Sequence, residues 1–419
     1  MRSNDMLVVK RTFASYYADA DFRIPGLEQR EFGIGNLKKI EARHLNFANA
    51  SEFRRYLCNN TPMFVSHSTA YYDFPGATPI QKKQWKGADL VFDLDIHAEG
   101  KYGAYAKLEA VKEEVMRLVD DFIINDFGVK KEDIAVVFSG NRGYHVHVRD
   151  KAFLGLGGDE RRELVDYIMG QGLDYLGFFP APGKGPQKLL GPRPDEGGYR
   201  GRMARGVIRL LEENPAALSR KYADAKEREF FISGIKEGNW SRTFLKFDEL
   251  KRRIKVVADT LPIHSVNTDV GVTQDLSKLI RVPNSIHGET GLIAKIMEDV
   301  TAFDPWKDAA LENQTANQNK TKNTDKTKNQ NKNPGELGRA NGSDGGGVGG
   351  GDASGTGSGG VGGSASGSVV GEMKVKFIED VPELVLGADT VGPFRKDEMK
   401  ELPQRFALLF VCKDSAVFA

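Results

Sequence analysis

Two carboxylates, Asp93 and Asp95, interrupt an apolar run, Leu90-Val91-Phe92-Asp93-Leu94-Asp95-Ile96. The run reads as a β-strand, in which side chains at i and i+2 share a face. Two steps of strand rise separate their Cα atoms by ~6.6 Å. Such a pair can share divalent ions, since paired catalytic metals sit ~3.5–4 Å apart. The alternative is two surface acids on an edge strand. It is disfavoured because a carboxylate in a buried run is costly without a compensating cation. The pattern is not unique, because Asp-x-Asp also holds metal in many sugar-nucleotide glycosyltransferases.

A second element, Ser139-Gly140-Asn141-Arg142-Gly143-Tyr144-His145, supplies a glycine turn, a guanidinium and an imidazole. A Gly-x-x-Gly turn alone is an ordinary hairpin connection. Here Arg142 sits at the tip, where it can make paired hydrogen bonds to phosphate, and backbone N–H groups beside glycines can approach phosphate oxygens. His145 leaves the turn on the same strand face as His147. No nearby cysteine completes a tetrahedral zinc site, so His145 is read as a phosphate contact and His147 as a strand residue. A third cluster, Asp269 followed by Arg281 and His287, repeats the theme of carboxylate, cation and imidazole. Carboxylates for metal beside cations for phosphate point to a metal-dependent enzyme acting on a nucleotide.

Helix and strand patterns must position these groups. Leu108, Val111, Val115, Leu118 and Phe122 recur at helical spacing, and Gly128 can end that helix. Strands are expected over Ile134–Phe138 and Tyr144–Val148. Helical stretches are expected over Arg161–Met169 and Asn214–Phe231. At 419 residues and 40% apolar content the chain can form two or more domains, and its net charge of +1 gives no bulk attraction to nucleic acid. The two cysteines, Cys58 and Cys412, build neither a disulfide framework nor a metal knuckle, which suits a reducing compartment. With no signal core and no run long enough to span a bilayer, a cytoplasmic protein is expected. From about 311 the chain turns to Asn, Gln, Lys and Thr, then to Gly and Ser. Residues 311–371 are therefore expected to be a disordered low-complexity linker. Order resumes with the alternating run Met373–Ile378, and a helix is expected to end in Ala407–Val411.

The ordered set of motifs resembles the small catalytic subunit of the archaeal and eukaryotic type of DNA primase. It comprises the Asp-x-Asp strand, the Ser-Gly-x-Arg-Gly-x-His turn, the later Asp269, and the segment from Arg281 through Pro283-Asn284-Ser285-Ile286-His287-Gly288 to Thr290-Gly291. Arg30-Glu31-Phe32-Gly33 and the tail from Val375 to Cys412 match as well. The resemblance implies that Asp93, Asp95 and Asp269 are the catalytic triad holding two divalent metals, Mg2+ or Mn2+. It implies triphosphate contacts from Ser139, Arg142, His145, Arg281 and His287, whose positive groups would offset phosphate charge. Arg30 falls in a motif near the active site. Many members carry a cysteine-based zinc site soon after the Asp-x-Asp strand. Here His97–Lys112 has no cysteine, so no zinc is expected.

The expected fold is α/β. A mixed-sheet catalytic core of the prim type is formed by 1–150 and 251–310, with a variable helical subdomain at 151–250 and a C-terminal segment at 372–419 returning to the core. The implied activity is synthesis of short RNA primers on a single-stranded DNA template, from ribonucleotides and with deoxyribonucleotide extension, in a heterodimer with a large primase subunit. Template patches are expected at Arg200, Arg202 and Arg205 or at Lys251, Arg252 and Arg253. The rivals are a repair-type primase-polymerase, a glycosyltransferase using only the Asp-x-Asp strand, and a noncatalytic nucleic-acid-binding module. The glycosyltransferase leaves the Asp269–His287 cluster without a role.

Overall fold

Strand β1 (Phe32–Gly35), β2 (Ala42–Leu45) and β3 (Phe64–Ser68) lead through a hairpin of β4 (Ala70–Tyr72) and β5 (Trp85–Ala88) to β6 (Leu90–Asp95). Then come β7 (Ile134–Phe138) and β8 (Gly143–Val148), while β9 (Leu279–Arg281) and β10 (Ile296–Met297) return much later in the chain. Apart from the β4–β5 pair, they build two antiparallel four-stranded sheets, ordered β2-β1-β3-β9 and β10-β7-β8-β6. The computed structural model describes residues 1–179, 189–260, 266, 268–311 and 371–419, and only the backbone of residues 247 and 255–260. The expected linker lies outside the described residues, apart from Leu311 and Gly371.

The alternation in β6 explains its placement. Leu90, Phe92 and Leu94 turn one face into the main apolar core and are buried. On the opposite face Val91 packs with Val272 and Ile280, and Asp93 and Asp95 continue that face toward the strand end. Burying the apolar face fixes the register, since a one-residue slip would drive both carboxylates into the core. The helix Leu108–Arg117 continues as a π-helical segment, Leu118–Ile124, and lays Leu108, Val115, Leu118 and Phe122 into the same core. Gly128 closes it in the left-handed region at φ +72°, its N–H donating to the carbonyl of Ile124.

The helices Gly198–Glu213, Ala225–Lys236 and Phe247–Thr260 surround a second apolar cluster, which runs from Phe179 to Ile254 and includes Met203, Leu211, Phe231 and Trp240. The helix Gly158–Ile168 instead contributes Val165 and Ile168 to the main core. The stretch Asn214–Phe231 is not one helix. It breaks into Pro215–Leu218, a 3-10 turn at Arg220–Ala223, and a helix restarted at Ala225 by Asp224, whose carboxylate caps the N–H groups of Lys226 and Glu227.

After residue 370 the chain rejoins the core. Strand β11 (Glu372–Phe377) precedes a hairpin of β12 (Leu384–Leu386) and β13 (Asp389–Val391), then β14 (Met399–Pro403), the helix Gln404–Cys412 and β15 (Ala416–Phe418). Phe406 to Val411 are all buried, in one cluster with Trp306 and Phe138. Tyr102 ties this segment to the loop after β6 by donating to the Ser415 hydroxyl at 2.7 Å. Mixed helices and antiparallel sheets of this kind are an α/β architecture. No described helix is long and apolar enough to cross a membrane.

Candidate active site

The two sheets wall a cavity of about 460 Å³ that gathers all three motifs. From β6 come Asp93 and Asp95, from the β7–β8 turn Ser139 and Arg142, and from β8 His145. Arg281 comes from β9 of the other sheet, and Asp269 and His287 from the segments on either side of that strand. All eight residues singled out in the sequence therefore line one space. Pairing makes this possible: Asp93 lies opposite His145, Asp95 opposite Gly143, and Ser66 opposite Arg281.

Asp269 is separated from the Asp-x-Asp strand by more than 170 residues, yet it is fastened to it. Its N–H donates to the Asp93 carbonyl at 3.0 Å, and the Thr268 hydroxyl donates to the same carbonyl at 3.1 Å. Its carboxylate caps the short helix Val270–Gln274 through the Gly271 N–H. Asp95 faces Arg142 at 3.2 Å and accepts from the Ile96 N–H. Asp93 stands 3.7 Å from Nε2 of His145. Burial, then repulsion from Asp95 and Asp269, pushes the Asp93 carboxyl up to about 7.

These carboxylates fit a divalent cation in kind. They are hard oxygen ligands suited to Mg2+ or Mn2+, and the raised Asp93 marks crowded negative charge that such an ion would relieve. As they stand, no group of three or more acidic, imidazole or thiol side chains among the described residues is arranged to hold an ion. Asp95 and Asp269 each direct oxygens at donors of the protein itself.

The phosphate-side residues form a tightly braced wall. The Ser139 hydroxyl accepts from the N–H groups of Asn141 and Gly143 and so closes the turn on itself. Gly140 adopts φ +83°, and a Cβ there would meet Cβ of His287 at 2.8 Å, so the turn needs glycine to lie against that histidine. The Thr290 hydroxyl donates to the Gly140 carbonyl at 2.6 Å. Nδ1 of His287 accepts from the Glu289 N–H, which leaves Nε2 as its donor. Arg281 is buried with its guanidinium 5.7 Å from the Phe64 ring centre, and its Nη1 has no partner among the described residues. Burial lowers that guanidinium to about 10, so it stays charged at neutral pH.

The histidines are corrected in one respect. They were expected as positive groups. Burial, reinforced by the Arg281 charge, holds His145 down to about 3 and His287 well below the usual imidazole range. Both are neutral hydrogen-bonding groups in the free protein. His147 is a buried strand residue, as expected, stacked on His67 with ring centres 6.3 Å apart.

Several residues at the site escaped the sequence reading. Lys39, Ser66, His97 and Lys278 line the cavity. Asn141, at the variable position of the turn, is held by Tyr105, Glu289 and Lys413. Nothing local distinguishes a lysine in an exposed turn, whereas the place of Asn141 between Gly140 and Arg142 was a usable signal.

Other candidates lie elsewhere. Arg30 is fully buried, paired with Asp89 at 2.7 Å, and donates to the carbonyls of Pro25, Ser68 and Thr69. It clamps the core and does not line the cavity. Arg202 was offered as a template contact, but it is buried against the Phe122 ring and paired with Asp126 at 2.5 Å. Arg200 bonds Glu196, Arg205 bonds the Pro194 carbonyl, and Arg253 bonds Glu249 and the Leu218 carbonyl.

The family model for the DNA primase small subunit matches residues 92–299, which contain all eight site residues. The chain is similar to the DNA primase small subunit PriS of Methanococcoides burtonii, 34% identical over 338 residues, covering 72% of this chain and 85% of the relative. It is 35% identical over 347 residues to that of Methanothrix thermoacetophila, covering 74% and 88%. It is 33% identical over 313 residues to that of Archaeoglobus fulgidus, covering 72% and 83%. With ordered motifs, one shared cavity and relatives matched over most of their length, this chain belongs to the DNA primase small-subunit family.

Proposed function

We propose that the cleft between the two sheets is the active site of a template-directed nucleotidyltransferase that makes short RNA primers on single-stranded DNA. In this reading the surrounding fold is a prim-type catalytic core with an inserted helical subdomain. The observation that carries it is the convergence of Asp93, Asp95 and Asp269 with Ser139, Arg142, His145, Arg281 and His287 on one cavity. The 3′-hydroxyl of one nucleotide attacks the α-phosphorus of the next, and pyrophosphate leaves. Asp93, Asp95 and Asp269 would hold divalent metal, Mg2+ or Mn2+. Bound there, such metal supplies charge that lowers the pKa of the attacking hydroxyl and offsets the leaving oxygens.

The chain's own groups bind and orient the triphosphate. Arg142, at the turn tip, offers a fork of donors and faces Asp95, so it links the phosphate side to the carboxylate side. Arg281 is pre-placed with an Nη1 that has no partner among the described residues, and a buried guanidinium needs no reorganisation to meet an anion. Nε2 of His287 donates into the same space, and its Nδ1 contact with the backbone fixes the ring. His287 meets the anion as a neutral Nε2 donor, and His145 adds a second neutral imidazole to the same wall. The family implies a large primase subunit as partner, and the same cleft would extend primers with deoxyribonucleotides.

The test is direct. The protein is incubated with labelled nucleoside triphosphates, single-stranded DNA and Mg2+ or Mn2+, and the products are resolved by length. A metal-dependent ladder of short, template-complementary products is expected. Absence of any product with either metal, with and without a large subunit, contradicts the reading.

A further inference from the structure

The β1–β2 hairpin reaches the cleft from the sheet that does not carry the Asp-x-Asp strand. Its tip is held in one shape. Glu41 accepts from the backbone N–H groups of Asn36, Leu37 and Lys38 at 2.9–3.1 Å, and its own N–H donates to the Ile34 carbonyl at 2.8 Å. Lys10 fixes Asn36 from outside at 2.7 Å. A Cβ on Gly35 would lie 1.8 Å from the Lys38 carbonyl oxygen, so the chain doubles back here only with glycine. This bracing places Lys39 and Ile40 on the cavity wall, while Lys38, one residue away, does not line it.

Charge gives the tip a task. The cavity wall carries four cationic side chains, Lys39, Arg142, Lys278 and Arg281, beside three carboxylates. Arg142 already faces Asp95, and the two imidazoles are uncharged in the free protein. The two lysines enter from different places: Lys39 from the tip between β1 and β2, and Lys278 from the residue before β9.

We propose that Lys39 is a further binding residue for the nucleoside triphosphate, delivered across the cleft by a hairpin tip that Glu41 holds rigid. The assignment rests on the nucleotidyl-transfer reading above. The β7–β8 turn then grips the triphosphate from one sheet, and Lys39 joins Arg281 in gripping it from the other. An ammonium on an exposed stem contributes as a point charge, so arginine should largely replace it.

Two measurements test this, one independent of turnover. Calorimetric titration of ATP with Mg2+ into the full chain should show Kd raised about tenfold for Lys39→Ala, the loss expected for one charge-assisted contact. Lys39→Arg should bind within about threefold of wild type, and Lys38→Ala should match wild type. Glu41→Gln, which keeps both lysines but weakens the brace, should fall between Lys39→Ala and wild type. In primer synthesis, Lys39→Ala should raise the nucleotide KM by a similar factor and leave single-stranded DNA affinity unchanged. Unchanged ATP affinity in Lys39→Ala, or an equal loss in Lys38→Ala, overturns the proposal. So does a loss of DNA affinity with nucleotide KM fixed, which would assign the tip to the template. A wild type that binds ATP as described but makes no product counts against the nucleotidyl-transfer reading, and the titration still judges Lys39.

Discussion

The cleft and the helical region treat charge in opposite ways. In the helical region several arginines are paired with an acid: Arg200 with Glu196, Arg209 with Glu213, Arg242 with Glu237, Arg253 with Glu249, and the buried Arg202 with Asp126. In the cleft three carboxylates crowd together and two histidines are held neutral. A fold does not assemble such an arrangement for stability, since each feature opposes it. It is the pattern expected where a charged ligand completes the set. Arg202 resembles a template contact in sequence, yet the structure buries it between the Phe122 ring and Asp126.

Substitutions can break this contrast at either end. The largest effect is expected from Asp93→Asn or Asp95→Asn, which should abolish nucleotide incorporation while the protein keeps its circular dichroism spectrum. More than a few per cent of wild-type synthesis in either variant would remove the metal assignment. Next come Arg142→Ala and His287→Ala. Each should cost about 1.5–3 kcal/mol of triphosphate binding, roughly ten- to a hundredfold in KM, with single-stranded DNA affinity and its salt dependence retained.

Arg202→Ala tests the other region. Breaking a buried pair leaves Asp126 uncompensated and should destabilise by about 3–5 kcal/mol. A fall in Tm without a change in nucleotide KM is expected. A KM effect at full stability would return Arg202 to the substrate path.

The smallest effect concerns pH. The raised carboxyl of Asp93 means that the folded metal-free protein binds a proton more tightly than the unfolded chain. This group's contribution therefore falls as pH rises from about 4 to about 7. The buried histidines act in the opposite direction: their lowered values cost stability as pH falls below the usual imidazole range. The Tm difference between Asp93→Asn and wild type isolates the carboxylate. It should grow in favour of the variant toward pH 7 and shrink when Mg2+ or Mn2+ is added.

The chemistry of the cleft was legible where it was local. The alternation around Asp93, the turn from Ser139 to His145 and the helix from Leu108 each follow from short-range pattern. Contacts across the chain were not. The fate of Arg30 depends on Asp89, and that of Arg202 on Asp126, 59 and 76 residues away. The neutrality of His145 and His287 comes from burial between two sheets, which no local spacing records. Lys39 looks like any turn lysine until the hairpin is folded over the cleft. The break at Asp224 was a local signal that the apolar residues on both sides obscured.

The central claim is that three distant segments form one metal-dependent site, and Asp269 joins it only through the fold. Mn2+ binding in the presence of a nonhydrolysable nucleoside triphosphate can be followed by electron paramagnetic resonance in wild type and Asp269→Asn, alongside primer synthesis by the same samples. The account predicts that wild type binds Mn2+ and makes primers, and that Asp269→Asn loses both together while its fold is retained. Wild-type Mn2+ binding and primer synthesis in Asp269→Asn would contradict it.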